Sequence, residues 1–358
     1  MLIRILYILL AILFFGVMVA IHEFGHFFTA KLLKVKVNEF AIGMGPALWS
    51  TKRGETQYSF RAFPIGGYCA MEGEDEATGD PRAFAAQSWW KKLIILVAGS
   101  FMNVVLGLVI VLLLYSGVSA VRAPVITQLA DGFALEGEDG LMVGDRIVSV
   151  DGHAILMYSD VITFLNKNDG NGIDLVIVRD GQRIELNDFP MARIEYEYDG
   201  QTNLGFGLIF GSMEELNAWG RIKLSVAQTA DFVRMVWMSL GDLISGQVGV
   251  GEMSGIIGIV DAVGDAGTAS ASLWDGFLNV LYFVAFISVN LAVMNLLPIP
   301  ALDGGRIFFV LVNAVIYLFS RRSIPAKYEG YVHTAGFLLL IALMVVVAFH
   351  DVWKIFFA

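Results

Sequence analysis

Four stretches of this chain are long and apolar enough to cross a bilayer as helix, which fixes the class of fold ahead of any other feature. They run roughly from Ile5 to Ala30, Leu93 to Ala120, Phe277 to Leu297 and Val332 to Phe349. About 20 apolar residues suffice, because helix rising ~1.5 Å per residue then covers roughly 30 Å of hydrocarbon. Of the 358 residues, 56% are hydrophobic and only 16% charged, with a mean hydropathy of +0.67. A single soluble domain, which carries about 25% charged residues, is excluded. The first stretch follows Arg4 as a signal peptide would, but it is too long, lacks a small-residue cleavage site and carries His22, Glu23 and His26 near its end. It reads as a retained span in a polytopic α-helical membrane protein with four transmembrane helices.

Orientation follows from Lys and Arg beside the spans. Lys31, Lys34, Lys36, Lys52, Arg53, Arg61, Arg82, Lys91 and Lys92 lie between spans one and two, and Arg321, Arg322 and Lys327 between spans three and four. Both loops belong on the cytoplasmic side, so the long segment after span two and both termini face outward. From 121 to 220 there are 17 acidic and 6 basic residues, which fits an exported segment. The net charge of -10 argues against nucleic-acid binding, which wants basic stripes. A single cysteine, Cys69, forbids an intramolecular disulfide.

The outer segment opens as a β-rich unit. Strands are expected at Pro124 to Leu129, Arg146 to Val150 and Ile173 to Val178, with turns at Asp151-Gly152 and Asp180-Gly181 and a short helix at Ser159 to Asn166. The stretch Gly140-Leu-Met-Val-Gly-Asp-Arg-Ile-Val-Ser-Val-Asp-Gly152 resembles the GLxxGDxIxxVNG core of a PDZ domain. The expected division is therefore 1–120 for the first half of the membrane core, 121–192 for the PDZ-like domain, 193–276 for an outer linker and 277–358 for the second half. Within the linker, Trp219 to Ile244 mixes apolar residues with Arg221, Lys223, Asp231 and Arg234. That pattern suits an amphipathic helix lying on the outer membrane face or one packed on the protein. The Gly-rich stretch Ser245 to Gly267 reads as a loop, without the spacing or Gly-Lys ending of a phosphate-binding loop.

The chemistry is concentrated in His22-Glu23-Phe24-Gly25-His26. Two histidines four residues apart lie on one helix face and can converge on one ion, with Glu23 beside them as a general base. The competing reading is a set of satisfied polar residues lining a helix bundle, but three polar groups would then all need partners in hydrocarbon. A catalytic zinc takes three protein ligands and keeps a position open, so one more ligand is required. Asp303, in Asn295-Leu-Leu-Pro-Ile-Pro-Ala-Leu-Asp-Gly-Gly305, is the candidate. Pro298 and Pro300 break or end the third span, and His26 and Asp303 fall at the same membrane depth. The alternative role for Asp303 is an N-cap of the helix Gly304 to Phe319.

These two motifs resemble those of the site-2 protease family of intramembrane zinc metalloproteases, and the single PDZ-like layout is similar to its bacterial RseP-type branch. His22, Glu23 and His26 match the family HExxH, and Asn295, Pro298 and Asp303 match NxxPxxxxDG. Gly99-Ser100-Phe101-Met102-Asn103 resembles GPxxN, with Ser100 replacing the Pro. The resemblance implies that His22, His26 and Asp303 bind one Zn2+, that Glu23 is general base and acid, and that Asn290 and Asn295 contact substrate backbone. It also implies a bacterial cytoplasmic (inner) membrane location and substrates that are transmembrane proteins such as anti-sigma factors or remnant signal peptides. The PDZ-like domain would then filter out bulky outer domains or recognise new chain ends.

Gln57 to Tyr68 alternates aromatic and polar residues before a Gly-Gly turn. That suggests a β-hairpin whose free edge could add a substrate strand, which the family resemblance implies is membrane-associated, or else an ordinary cytoplasmic hairpin followed by the solvated acidic run Glu72 to Glu76. A second function class, a metal-binding transporter or PDZ scaffold, would want several intramembrane carboxylates, whereas the spans offer only Glu23 and the nearby Asp303. His153, His333 and His350 read as surface or interfacial residues, and Cys69 as a structural thiol.

Overall fold

The computed structural model describes residues 2–74, 78–168, 172–198, 200–247, 258, 262, 265, 267, 270, 272–321, 324 and 326–357. Most of the Gly-rich stretch, Asp75 and Glu76 of the acidic run, and Arg322 lie outside the described residues. Two compact units form, one from Met1–Leu114 with Phe232–Ala358 and one from Tyr115–Asp231.

Along the chain, α1 (Leu2–Leu32) leads into strands β1 (Val37–Arg53) and β2 (Thr56–Met71) and then α2 (Trp89–Tyr115). The second unit follows with β3 (Ala120–Arg122), β4 (Gln128–Leu129), β5 (Arg146–Val150), β6 (His153–Ala154), α3 (Tyr158–Lys167), β7 (Ile173–Arg179), β8 (Gln182–Phe189), β9 (Ile194–Tyr198), β10 (Gln201–Gly205), β11 (Leu208–Ile209) and β12 (Met213–Glu215). Then come α4 (Ala218–Ile244), α5 (Leu273–Leu296), α6 (Asp303–Ser320) and α7 (Ala326–Phe357). Among the described residues five helices, α1, α2, α5, α6 and α7, are long and apolar enough to cross a membrane, where four were expected. The fifth is α6, the least apolar of them. Pro298 and Pro300 stop α5, and the chain restarts as helix at Asp303.

Lipid tails give apolar helices no hydrophobic reason to associate, so the membrane unit packs through close approaches at small residues. Gly25 of α1 lies so near α2 that a Cβ there would stand 2.7 Å from the Ala98 carbonyl carbon and 3.0 Å from Gly99 Cα. Gly107 of α2 admits Val289 of α5 in the same way, at 2.7 Å. Where α1 ends, Ala30, Val35, Val37, Cys69, Met71, Phe84, Ile95 and Leu96 form a buried cluster, flanked by Ile307 and Val310 of α6. Removing each of its larger side chains from water is worth about 1.5–3 kcal/mol. The cluster ties the hairpin base to three helices.

The β1–β2 hairpin is more than two simple strands. Glu39 to Ile42 pair with Gly67 to Ala70 on one side and with Gln57 to Phe60 on the other, while Ala47 to Arg53 close the hairpin on Thr56 to Arg61. The segment from Gly67 to Met71 is thus an outer edge, paired on one side only. Glu39 is held by Ser59 Oγ at 2.6 Å and by Arg61 at 2.8 Å. Partial burial pushes its carboxyl up, but these hydrogen bonds, with one from Tyr68 and the charge of Arg61, together outweigh it and hold the carboxyl below 4.5.

In the second unit β6-β5-β7-β8 form one antiparallel sheet. Its tight turns are the expected ones, with Asp151, Gly152, Asp180 and Gly181 all at positive φ, as two-residue hairpin loops require. Ile147, Val150, Ile173 and Ile177 of the sheet and Val161 of α3 are wholly buried and form its core. Asp145, also wholly buried, is tied by two 2.8 Å hydrogen bonds from Arg179. Strands continue past residue 192. β11 pairs with β4 and β12 with β3, so part of the expected linker closes the start of the second unit. In α4, Phe232 packs on Tyr282 and Phe286 of α5 at ring distances of 5.3 and 5.4 Å, whereas Trp219, Ile222, Val226 and Trp237 are exposed.

Candidate metal centre

His22 and His26 lie about 30 Å along α1 from its start, near the far end of a bilayer-crossing helix. Asp303 reaches them from another part of the chain. At the end of α5 the backbone leaves the helix at Leu297, and Ile299 donates its N–H back to the Leu297 carbonyl at 2.7 Å. Ala301 takes a positive φ of 76°, and α6 begins at Asp303 itself. Gly304 and Gly305 let α6 start against this turn, since a Cβ on Gly305 would stand 3.1 Å from Pro300 Cα. The Asp303 carboxylate points at the histidines.

His22 Nε2 is 3.1 Å from Asp303 Oδ2, His26 Nε2 is 3.3 Å from the same oxygen, and the two Nε2 atoms are 3.2 Å apart. Both imidazoles are buried. The opposite edges of the rings are also engaged. His26 Nδ1 lies 2.8 Å from the Ile95 carbonyl, an acceptor only, so the ring proton belongs on Nδ1 and Nε2 offers its lone pair. Next to His22 Nδ1, at 3.4 Å, is the Asn103 amide nitrogen, and Asn103 Oδ1 is buried with no partner. Turning that amide end for end places Oδ1 on the Nδ1–H of His22 and gives both groups what they lack.

Three lone pairs then converge with no donor among them, and Asp303 Oδ2 is itself a buried oxygen without a hydrogen-bond partner. Such a triangle repels itself unless a cation lies between its corners. Tetrahedral zinc with ligands at about 2.0–2.1 Å separates neighbouring ligand atoms by roughly 3.3 Å, which matches the three distances. The residues fit the ion. Gly99 of α2 borders the triangle: a Cβ there would overlap His26 Nε2 and lie 2.7 Å from His22 Cε1.

A cavity of about 280 Å³ opens beside the triangle, lined by Val19, His22, Glu23, Leu291, Asn295, Ala301, Leu302 and Asp303. Glu23 and Asn295 therefore face one space with His22 and Asp303, and Asn290 is not in that lining. The hairpin edge comes in as well, since a Cβ built on Gly67 would lie 3.5 Å from Glu23 Cγ. Cys69, two residues along that edge, is buried, and its burial pushes the thiol well above 9. It is a packed thiol, as expected. His153 stacks on Phe164 at 4.6 Å in the second unit. His333, read as a surface or interfacial residue, accepts the Ala301 N–H at 3.0 Å. No spacing in the chain signals that contact, nor those of Ile95, Gly99 and Asn103, although Gly99 and Asn103 are the ends of the GPxxN-like element.

Comparison with known proteins agrees with this geometry. A model of the family described as Peptidase family M50 matches residues 10–343. The chain is similar to a provisionally named zinc metalloprotease of Clostridium acetobutylicum, 36% identical over 346 residues that cover 96% of this chain and 97% of the other. It is also similar to the zinc metalloprotease RasP of Oceanobacillus iheyensis, at 28% identity with 96% and 98% covered. The regulator of sigma-W protease RasP of Bacillus subtilis is 26% identical, again with 96% and 98% covered.

Proposed function

Because the chain belongs to peptidase family M50 and is an intramembrane zinc metalloprotease, we propose that His22, His26 and Asp303 hold its zinc and that Glu23 is its general base and acid. Its substrates are single-span membrane proteins, cut inside their membrane segment toward the cytoplasmic side. The observation that carries this reading is the ligand triangle with Glu23 and Asn295 on the same cavity wall.

A peptide bond in a transmembrane helix is shielded by its own hydrogen bonds and side chains, so the substrate unwinds before it is cut. The outer edge from Gly67 to Met71 offers backbone groups to an extended strand, and Gly67 places that strand against Glu23. The Asn295 amide, both donor and acceptor, satisfies further freed backbone groups. Asn290, outside the cavity lining, serves α5 packing or a more distant part of the substrate. Zinc in the triangle supplies Lewis-acid polarisation of the scissile carbonyl. Glu23 takes the proton of the attacking water and delivers it to the leaving amine.

The relative in Bacillus subtilis is named a regulator of sigma-W, which supports anti-sigma factors as one substrate class, with remnant signal peptides as another. The nine Lys and Arg between spans one and two support a site on the cytoplasmic side with the second unit outside, and the bacterial relatives support a bacterial cytoplasmic membrane location. That unit is a PDZ-like size filter. The test is cleavage of tagged single-span substrates by detergent-purified protein, comparing wild type with Glu23→Gln at equal zinc content. Wild type cuts, and the variant loses at least about 100-fold in rate. Equal cleavage by both would remove Glu23 from the reaction.

A further inference from the structure

Asp303 is the one ligand not presented from the interior of a long helix, and its place depends on an irregular turn. That turn is gripped from α7. The Ala301 N–H, from a residue at φ 76°, is donated to His333 Nδ1 at 3.0 Å. Acceptance at Nδ1 puts the ring proton on Nε2, on the side of Glu329 Oε1, which lies 3.9 Å away and one turn earlier on the same helix. Three residues after His333, Gly336 takes Pro300 against its bare Cα: a Cβ there would stand 3.1 Å from both the carbonyl carbon and the oxygen of Pro300. Two consecutive residues of the turn are thus held by one face of α7, and Asp303 follows two residues later.

We propose that His333 is a positioning residue for the zinc site, acting through Ala301 to hold the turn that aims Asp303 at His22 and His26. The inference rests on the assignment of Asp303 as a ligand. Ala301 cannot relax into ordinary right-handed backbone while its N–H is engaged, and that relaxation would rotate the start of α6 and swing the carboxylate. Partners of this kind around ligands commonly affect metal affinity by 10–100-fold.

The two amides Asn and Gln separate this role from a merely polar one. An Asn oxygen occupies about the place of an imidazole Nδ1, whereas a Gln oxygen occupies that of Nε2. We would measure zinc dissociation constants of the full chain in detergent by equilibrium competition with a chromophoric chelator. His333→Asn should bind within about three-fold of wild type, and His333→Gln about ten-fold more weakly or worse. Equal affinities for the two variants, whether retained or lost together, would overturn the proposal. Asp303→Ala is the control on the premise. Unchanged zinc affinity there would remove Asp303 from the ligand set. Lost affinity with Asn and Gln alike at 333 would remove only the role of His333.

Discussion

Gly99 and His26 stand so close that a single Cβ on the glycine would overlap the imidazole at Nε2. An alanine in the middle of a helix ordinarily stabilises it by about 1 kcal/mol over glycine. Here the methyl group must displace the nitrogens that face Asp303. Gly99→Ala should lose zinc affinity by at least about ten-fold, with cleavage falling in proportion. Thermal unfolding with and without chelator reads the difference directly: the zinc-dependent gain in Tm shrinks in the variant. A variant with full zinc affinity and a higher Tm would show that α2 has room to spare.

Asn103 orients His22 if its Oδ1 accepts the Nδ1–H, and charge then ranks the substitutions. Asn103→Asp keeps an acceptor at that place and strengthens it, so zinc affinity holds or rises. Asn103→Leu fills the same buried space without an acceptor and costs on the order of 10–100-fold in affinity. The assay is the same chelator competition, and tighter binding by the leucine variant would reverse the assignment.

The three residues that the fold brings into the triangle were legible in the sequence and the contacts around them were not, for a physical reason. His22, Glu23 and His26 are brought together by helix periodicity alone, and Asp303 by proline breaks that can be read locally. Ile95, Asn103 and His333 act through contacts across the bundle, and no local period announces which residue of a neighbouring helix will face them. The same limit explains the strands past residue 192. β11 has two residues and β12 three, too short for a period-two pattern, and each exists only because a distant partner pairs with it. The helix α6 was legible as a helix from Gly304 to Phe319 and stayed out of the count of spans because it is the shortest and least apolar of the five. The transporter or scaffold alternative asked for carboxylates along a pathway, and membership of a peptidase family leaves it without support.

The hairpin base should weaken with acid in a defined window. Lys36 Nζ donates to Glu72 Oε2 at 2.9 Å and Asn38 Nδ2 to the same oxygen at 3.0 Å. These bonds, the lysine's foremost and Thr78's after them, hold the Glu72 carboxyl down at about 2 against 4.5 for a free one. A carboxyl depressed in the folded state stabilises it fully above the unfolded value, and the contribution fades as pH falls through the folded one. Wild type should therefore lose Tm relative to Glu72→Gln between pH 4.5 and about 2, with parallel curves above that window. Parallel curves throughout would mean that the Lys36 contact carries no stability.

The last prediction concerns where the outer unit can be cut away. Excision of 121–192 would remove β4 and most of β3, leaving β11 and β12 with unpaired edges and β9–β10 without the sheet they follow. Exposed edges of this kind aggregate. The fold offers a better seam, because the Leu216 N–H is donated to the Ser119 carbonyl at 2.8 Å and Arg221 holds the Val118 carbonyl at 2.8 Å. Removing 120–215 joins two ends that are already neighbours and takes every strand of the unit together. If the unit is a filter, this shortened protein should still cut a single-span substrate with a short outer segment, at a rate within about three-fold of wild type. It should also cut substrates with bulky folded outer domains, which the whole protein refuses. The longer excision should stay soluble in detergent where removal of 121–192 aggregates, as size-exclusion chromatography would show. A shortened protein that folds, binds zinc and cuts nothing would assign the second unit to substrate capture instead of exclusion.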